Sequence, residues 1–311
     1  MGIFGTITSK LKGKTMFGML TVPGLSIPKG VSQSEIQSSL DSGLDVYLPR
    51  RSQSYSASEL HLSVPGQRLF SSGQNTVIEH VGDGRLFSVH ENDVVISDMS
   101  IHGNGGLQTK GITTDDCVNG CRFSGLVVKN FDICYEDDGF ENSVLHSVLT
   151  GYSSYGAVHL GGADWKLDSV MFSTNHKNIG TAHILANITG WKGSNLVFGY
   201  GRRGVDLSPN GAASVTLDAC HWENMDETDF EIYATTRQSV TVNGGRADGR
   251  FRAGGSAEYG ARYFLNGVRF IAPAMVDNAM ATWVMLNNHN LSENDFSGGP
   301  GKRTWLDQIG S

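Results

Sequence analysis

Short stretches of alternating apolar and polar residues return at a nearly constant interval through most of this 311-residue chain. An apolar residue followed by a polar one recurs every 23 to 25 residues, at Val89–His90, Ile112–Thr113, Tyr135–Glu136, Val158–His159, Ala182–His183, Val205–Asp206 and Phe230–Glu231. A fixed period of about 20 to 50 residues is typical of repeat proteins, in which each unit buries its apolar face against its neighbours. The pattern therefore predicts a solenoid.

A second series of short apolar stretches runs out of step with the first and has a similar period. Its members are Met99–Ser100–Ile101, Leu126–Val127–Val128, Val148–Leu149–Thr150, Val170–Met171–Phe172, Leu196–Val197–Phe198, Cys220–His221–Trp222, Gly245–Arg246–Ala247 and Val268–Arg269–Phe270. Both series alternate with period two and are bounded by Gly, Asn, Asp and Ser, which favours strands and turns over helices. The sequence therefore predicts an all-β, single-stranded parallel β-helix, whose successive coils stack about 4.8 Å apart. Parallel crossovers are nearly always right-handed, so we expect a right-handed β-helix.

The repeats span most of the chain, which predicts one structural domain. We expect the β-helix to occupy residues 32–290. Residues 1–31 should form an N-terminal attachment segment and linker, since they combine a basic amphipathic stretch with a Pro- and Gly-containing one. Residues 291–311 read as a C-terminal tail because they are polar and rich in glycine.

A short helix is predicted just before the first strand. Ser32 and Glu35 have the spacing of a capping box, and Gly43 is a stop signal, so the helix should run over residues 34–42. Ile36 and Leu40 share one face of it. That face could cover the open end of the β-helix, where strand edges would otherwise be unpaired.

Composition narrows the class of protein further. The net charge of −7 argues against nucleic acid as a partner. No segment approaches the roughly 20 apolar residues that span a bilayer, and the first twenty residues lack the features of a signal peptide. The four cysteines fit neither a disulfide framework nor a metal-ligand pattern, so we expect idle thiols, synthesis in a reducing cytoplasm, and no metal or other cofactor.

The N-terminal third resembles a known family. Val46–Tyr47–Leu48–Pro49, a G-x-x-L-x-x-x-G-x-x-T-x-I run from Gly66 to Ile78 and the I-S-D-M-S-I-H-G stretch from Ile96 to Gly103 resemble the entry into pectin lyase-like right-handed β-helices, especially bacteriophage tailspike proteins. The resemblance implies a virion location, contact with other virion proteins through the N-terminal segment, a homotrimer and a host surface polysaccharide as ligand. The polygalacturonase branch of the family implies no catalytic residue here, because the G-H-G and R-I-K motifs are absent.

The polar members of the first series should face solvent, because neighbours of inward residues on a strand point outward. They form a predicted stripe of His90, Thr113, Glu136, His159, His183, Asp206 and Glu231, to which Asp138, Ser208, Tyr233 and Asp229 add on the same face. An ordinary solvated face would also be polar. Stacked carboxylates and imidazoles, however, suggest a polysaccharide groove, with Trp191, Tyr200 and Tyr233 as sugar-stacking groups.

Within the stripe, Asp206 and Glu231 fall on adjacent coils. Their Cβ atoms should lie roughly 5 Å apart, which suits the paired carboxylates of glycosidases. Mutual repulsion would leave one acid and one base. We therefore predict Asp206 and Glu231 as catalytic residues, with Glu136, Asp138, His159, His183 and Tyr233 contacting substrate. Calcium held by Asp116, Asp137 and Asp138 is a rival use of the acidic residues.

The second series predicts an interface. Its outward positions include Val127, Leu149, Met171 and Val197, four apolar residues in successive coils that need cover. Packing of three β-helices side by side would provide that cover, and it agrees with the homotrimer that the family resemblance implies.

Two functions stay open on the sequence alone. The first is a tailspike-like protein that binds a host polysaccharide and hydrolyses it as a glycoside hydrolase. The alternative is a non-enzymatic virion structural or receptor-binding protein on the same scaffold. A polysaccharide lyase or epimerase would require an arginine or lysine base on the predicted stripe, and the stripe contains none.

Overall fold

The computed structural model describes residues 24–159, 163–174, 182–186, 190–207, 214–234, 239–248, 250–255, 262–277, 281–298 and 302–306. They form the predicted right-handed parallel β-helix, built from two sheets that run along its length. No helix in these ranges is long and apolar enough to cross a membrane.

Sheet 1 has 13 strands, one from each coil. They are Leu25–Ser26, Asp45–Leu48, Arg68–Ser71, Val95–Ser97, Arg122–Ser124, Ser143–Leu145, Trp165–Asp168, Gly190–Ser194, Ser214–Asp218, Ser239–Asn243, Arg262–Asn266, Thr282–Leu286 and Lys302–Leu306. The first strand and the last one lie outside the range 32–290, so the sheet extends beyond the predicted limits of the β-helix at both ends.

Sheet 2 has 17 strands. They are Tyr55–Ala57, Leu60–Leu62, Val77–His80, Arg85–Val89, Ser100–His102, Lys110–Thr114, Val127–Asp137, Val148–His159, Met171–Thr174, Ala182–Ala186, Val197–Leu207, His221–Ala234, Arg246–Ala247, Arg250–Gly255, Arg269–Phe270, Ala274–Asp277 and Phe296–Gly298.

Long strands join two ladders within sheet 2. The back ladder begins with Tyr55–Ala57 and Val77–His80 and continues through the first halves of the long strands, such as Val127–Asp137. The front ladder begins with Leu60–Leu62 and Arg85–Val89 and continues through their second halves. Each coil therefore presents three faces, one from sheet 1 and one from each ladder.

Apolar side chains from all three faces fill the interior. The inner column of the front ladder is fully buried and consists of Phe87, Ile112, Tyr135, Ala157, Ile184, Val205, Phe230 and Phe251. On the back ladder, Phe172, Phe198 and Trp222 stack with ring centroids 5.2 and 5.4 Å apart. Burial of each such side chain contributes about 1.5–3 kcal/mol, so the repeated core carries most of the favourable free energy of folding.

The inner column corrects the predicted register at three coils. Phe87, not Val89, pairs with Ile112, so Ser88 and not His90 occupies the neighbouring column. Ala157, not Val158, stacks between Tyr135 and Ile184, and Ala182 lies two residues before the inner position. A shift by one residue exchanges the two faces of a strand. Val158 consequently pairs with Glu136 in the neighbouring column, although its side chain is buried.

The same kind of shift occurs on the back ladder. Val127 pairs with Val148, and the column continues through Met171 to Val197. Leu149, which the sequence pattern placed outward, is buried at 1% exposure. The outward-facing apolar column therefore consists of Val127, Val148, Met171 and Val197, of which Met171 is 45% exposed and the three valines are half-buried.

The turn from sheet 1 to the back ladder needs a left-handed residue in nearly every coil. In these turns, the residue just before the first inward-facing residue of the back ladder has a positive φ, which ranges from 49° at His146 to 65° at Gly267. Glycine, Asn and Asp tolerate this conformation best. Their recurrence there, as at Asp98 and Asn195, is therefore one physical source of the sequence period.

The predicted helix occupies Gln33–Leu40 and ends two residues before the expected limit. The Ser32 hydroxyl and backbone N–H both donate to the Glu35 carboxylate, at 2.7 and 3.3 Å. Ile36 and Leu40 are buried, and the helix contacts the strands Asp45–Leu48, Tyr55–Ala57 and Leu60–Leu62 that follow it. The strand Leu25–Ser26 precedes the helix, which therefore does not lie before the first strand as predicted.

Three of the four cysteines are buried thiols: Cys121, Cys134 and Cys220. Burial raises the pKa of Cys121 and Cys220 to about 12, which suppresses the reactive thiolate. Cys117 is exposed, and no group of ligands that could hold a metal ion occurs in the described part of the chain.

Asp137 is a fully buried carboxylate inside the β-helix. The strand Val127–Asp137 continues through this residue and turns its side chain inward. Four donors satisfy the carboxylate: the hydroxyls of Thr114 at 2.5 Å and Tyr135 at 2.8 Å, and the Gly139 N–H and Asn142 amide at 2.9 Å. Asp137 is thereby committed to an internal network, which argues against its use as a calcium ligand.

Replacing Asp137 by alanine should destabilise the protein by at least about 3 kcal/mol, because several buried donors lose their acceptor at once. Tyr135→Phe removes only one of these hydrogen bonds and should cost about 1 kcal/mol. Urea unfolding followed by circular dichroism measures both changes. Equal stability of the Asp137→Ala variant and the wild type would contradict the assigned network.

Candidate functional site

The outer column of the front ladder carries the candidate site. In order along the β-helix it contains His61, Ser88, Thr113, Glu136, Val158, Leu185, Asp206, Glu231 and Arg252. Val158 and Leu185 interrupt the predicted polar stripe. The column therefore divides into an N-terminal polar group that ends at Glu136 and a C-terminal polar group that starts at Asp206.

The C-terminal polar group contains the predicted catalytic pair. Asp206 and Glu231 are register partners on adjacent coils. Asp206 is only 7% exposed, and Arg203 Nη1 donates to its Oδ2 at 2.7 Å. The Glu231 side chain lies outside the described residues, as do the side chains of His159 and Tyr233, so the roles of these three residues stay predictions.

A network of charges supports Arg203 from the adjacent coil. Glu227 accepts hydrogen bonds from Arg203 Nε at 3.1 Å and from Arg202 Nε at 2.5 Å. Burial acts to raise the pKa of Glu227, but the hydrogen bonds from the two arginines outweigh it, and the net pKa is lowered. A guanidinium shared by two carboxylates is thereby held in a fixed position beside Asp206.

Two predicted substrate contacts lie together in the N-terminal polar group. Glu136 accepts a hydrogen bond from Lys110 Nζ at 2.6 Å. Burial raises the pKa of Asp138, and the negative charges of Asp116, Asp137 and Glu136 add to the effect. A carboxyl with raised pKa close to an ion-paired one is a common arrangement at acid–base sites, so both residues stay candidates for contact with substrate.

His183 does not face solvent, and the expectation that it lines the outer surface is wrong. Its side chain is 2% exposed and packs between Phe172 and Phe198, with ring centroids 6.4 and 6.3 Å away. A Cβ atom on Gly201 would lie 2.5 Å from His183 Nε2, so the site depends on glycine at that position. Trp191, predicted to stack on sugar, is likewise buried, whereas Tyr200 is 53% exposed.

Sequence reasoning missed His61, which belongs to the N-terminal polar group. Its strand, Leu60–Leu62, precedes the first clear member of the repeat series, so no periodic signal marked it. The structure brings it to His90, with His61 Nδ1 3.0 Å from His90 Nε2. Leu62 lies 27 residues before its register partner Val89, so a backward extension of the 23- to 25-residue period would have missed this strand.

Comparison with known proteins shows the fold. No family model matches the sequence, and no curated protein matches it. Among solved structures, the alginate lyase from Paenibacillus sp. strain FPU-7 is similar with a TM-score of 0.62 and 14% identity, over 92% of this chain and 99% of that one.

Two further structures are similar at comparable levels. The Agl-KA catalytic domain gives a TM-score of 0.60 at 10% identity, over 88% of this chain and 65% of that one. The enzymatically active domain of bacteriophage CBA120 tailspike protein 2 gives 0.58 at 13% identity, over 81% of this chain and 40% of that one. The chain thus spans less than two thirds of either of these two proteins, and the likeness establishes the right-handed β-helix fold.

Burial of His183 should make the stability of the protein depend on pH. Burial lowers the pKa of His183 from 6.5 to about 4, against a hydrogen bond with the Gly199 backbone that acts to raise it. As the pH falls, His183 therefore takes up a proton near pH 6.5 in the unfolded chain but only near pH 4 in the folded chain. Stability present above pH 6.5 is lost as the pH falls through this window, by on the order of 3 kcal/mol.

Urea unfolding at pH 7 and pH 4.5 measures this contribution. His183→Leu should be less stable than the wild type at pH 7 but should lose less stability on acidification. His221→Gln, a change at an exposed histidine on the back ladder, serves as the control and should follow the wild type. An unchanged pH dependence in His183→Leu would show that this residue does not titrate as described.

Proposed function

We propose that the protein binds an extended cell-surface polysaccharide along the outer column of the front ladder and hydrolyses it, as a tailspike-like glycoside hydrolase. The observation that carries the proposal is the register pairing of Asp206 with Glu231 on adjacent coils. Paired strands place such side chains about 5 Å apart, the separation of the carboxyls in retaining glycosidases. A polymer lying parallel to the axis would meet both groups.

The surroundings of Asp206 suggest how the two roles divide. Arg203 lies beside its carboxylate and favours the charged form, which suits a nucleophile or base. Glu231 would then supply the proton that the leaving glycosidic oxygen needs. Glu136 and Asp138 lie further along the same outer face, where they would contact sugars outside the cleaved bond.

A polysaccharide lyase is the second candidate, and a specific observation favours it. The sequence-based argument against a lyase was the absence of a basic residue from the stripe. In the structure Arg252 follows Glu231 in the outer column, and Lys110 contacts Glu136. The likeness to an alginate lyase over 99% of that chain gives this alternative further support. A lyase would leave a double bond in its product, whereas a hydrolase would not.

Exchange of either carboxylate for its amide should lower the rate of hydrolysis by about 10²- to 10⁴-fold, the usual contribution of a general acid or base. The variants are Asp206→Asn and Glu231→Gln, and Glu223→Gln is a matched control. Glu223 lies on the same strand as Glu231, but on the back ladder, where its 40% exposed side chain pairs with Arg246. New reducing ends released from capsular and O-antigen polysaccharides measure the activity.

Full activity in both variants would move the site away from this pair. Unsaturated products formed by the wild type would favour the lyase. Binding without either kind of product would favour the non-enzymatic receptor-binding function.

The proposed function includes a virion location and a homotrimer, with residues 1–31 as the attachment segment. Most of that segment lies outside the described residues. The outward-facing apolar column of Val127, Val148, Met171 and Val197 supports the trimer, because a continuous apolar strip on the surface marks an interaction surface. A β-helix with one such strip per subunit can close around a threefold axis.

Met171→Asp should convert the trimer to a monomer, because three carboxylates would be brought into an apolar contact. Leu107→Asp is the matched control, since Leu107 is 71% exposed in a turn away from the strip. Light scattering coupled to size-exclusion chromatography at micromolar concentration gives the masses. A wild-type monomer under these conditions would rule out the proposed assembly.

A further inference from the structure

A connected set of ionisable side chains lies at the N-terminal end of the front ladder, away from Asp206 and Glu231. We call it the histidine cluster: Glu59, His61, Arg85, His90 and Asp115. Six strand positions separate His61 from Asp206 in the outer column, a distance of about 29 Å at 4.8 Å per strand. The cluster and the predicted catalytic pair therefore cannot act on the same bond.

The helix Gln33–Leu40 holds His61 in place. The His61 backbone N–H donates to Gln37 Oε1 at 2.9 Å, and Gln37 Nε2 donates to the His61 carbonyl at 3.1 Å. The His61 and His90 rings stack with centroids 5.3 Å apart and an angle of 18° between their planes. Both contacts restrict the motion of the His61 ring, although its side chain is 46% exposed.

The hydrogen bonds determine which nitrogen of His61 carries a proton. His90 Nδ1 lies 2.6 Å from Asp115 Oδ2, and an ionised carboxylate can only accept, so His90 Nδ1 carries the proton. In a neutral His90 ring, Nε2 is then an acceptor, and it receives a hydrogen bond from His61 Nδ1 at 3.0 Å. His61 Nε2 is consequently the unprotonated end of an Asp–His–His chain, and it lies 3.9 Å from Glu59 Oε2, beyond hydrogen-bond distance, on a side chain that is 46% exposed.

Arg85 adds a positive charge to the cluster through its contacts with the two carboxylates. Its Nε lies 3.4 Å from Glu59 Oε1 and its Nη1 lies 3.9 Å from Asp115 Oδ1, while 47% of the side chain stays exposed. An exposed guanidinium beside a base can stabilise negative charge that develops on a substrate oxygen. His61 as the base and Arg85 as the cation would together promote the attack of water on a carbonyl carbon.

Cleavage of a glycosidic bond suits the cluster less well. That reaction needs a protonated carboxyl for the leaving oxygen, and here the carboxylates of Glu59 and Asp115 both contact cations or donors. A serine nucleophile is also disfavoured, because Ser88 is fully buried and donates its hydroxyl to Glu59 at 2.8 Å. Water is therefore the nucleophile that fits.

We propose that the histidine cluster is an esterase site that removes ester-linked acyl groups from a polysaccharide, a proposal that rests on polysaccharide binding along the outer column. His61 Nε2 takes a proton from water while the water oxygen bonds to the acyl carbonyl carbon, and the carbonyl electron pair moves to its oxygen beside Arg85. The intermediate then expels the sugar oxygen, which takes the proton from His61. One water is consumed, and a carboxylic acid and a free sugar hydroxyl are formed.

The test uses the full chain with 4-nitrophenyl acetate and with an O-acetylated alginate. Released acetate, new reducing ends and unsaturated products are measured in the same reactions. The wild type should release acetate, and His61→Gln should lower that rate by at least about 10²-fold. His289→Gln changes an exposed histidine in another coil and should retain the wild-type rate of acetate release.

Arg85→Gln is a second variant and should also slow the release of acetate, since it keeps the base but removes the cation. Absence of acetate with both probes, or wild-type rates in His61→Gln, would overturn the proposal. Loss of reducing ends or of unsaturated products in His61→Gln, with acetate release unchanged, would instead assign the cluster to cleavage of the polymer. If the protein is not a hydrolase, no new reducing ends form, whereas the release of acetate is unaffected. Failure of the proposed hydrolase and failure of the proposed esterase are therefore distinguishable.

Discussion

The parallel pairing of each coil with the next is the constraint on which the rest of the structure depends. Backbone hydrogen bonds between coils fix the spacing at about 4.8 Å and place equivalent residues in columns along the axis. Once two strands are in register, every side chain on them is assigned to the core or to the surface. The core column from Phe87 to Phe251 and the outer column from His61 to Arg252 are consequences of this one interaction.

The arrangement of columns also explains why the charged groups lie where they do. A residue of the outer column meets side chains of its own strand and of the neighbouring coils, so a site draws its acids and bases from two or three adjacent coils. Asp206 takes its closest cation, Arg203, from its own strand, while His90 meets Asp115 and His61 across coils. Val158 and Leu185 separate these two groups and give one surface two chemically distinct regions.

Buried polar residues place a second demand on the fold. Asp137 and His183 are both inside the β-helix, one satisfied by four donors and the other held in a neutral state by burial. Each makes stability sensitive to a single proton or a single hydrogen-bonding group. Such residues restrict the register further, because a shifted strand would leave them without partners.

The sequence alone determined the repeat, the strand content and most of the core column, because these follow from a period that recurs many times. Adjacency of Asp206 and Glu231 also followed from that period. Only the tertiary structure decided the register at Val158 and Leu149. One residue more or less in a turn shifts the following strand by one position, which exchanges its core-facing and surface-facing side chains. It also decided the burial of His183 and the meeting of His61 with His90, since contacts across a corner or beyond the first repeat depend on three-dimensional packing that a linear pattern does not encode.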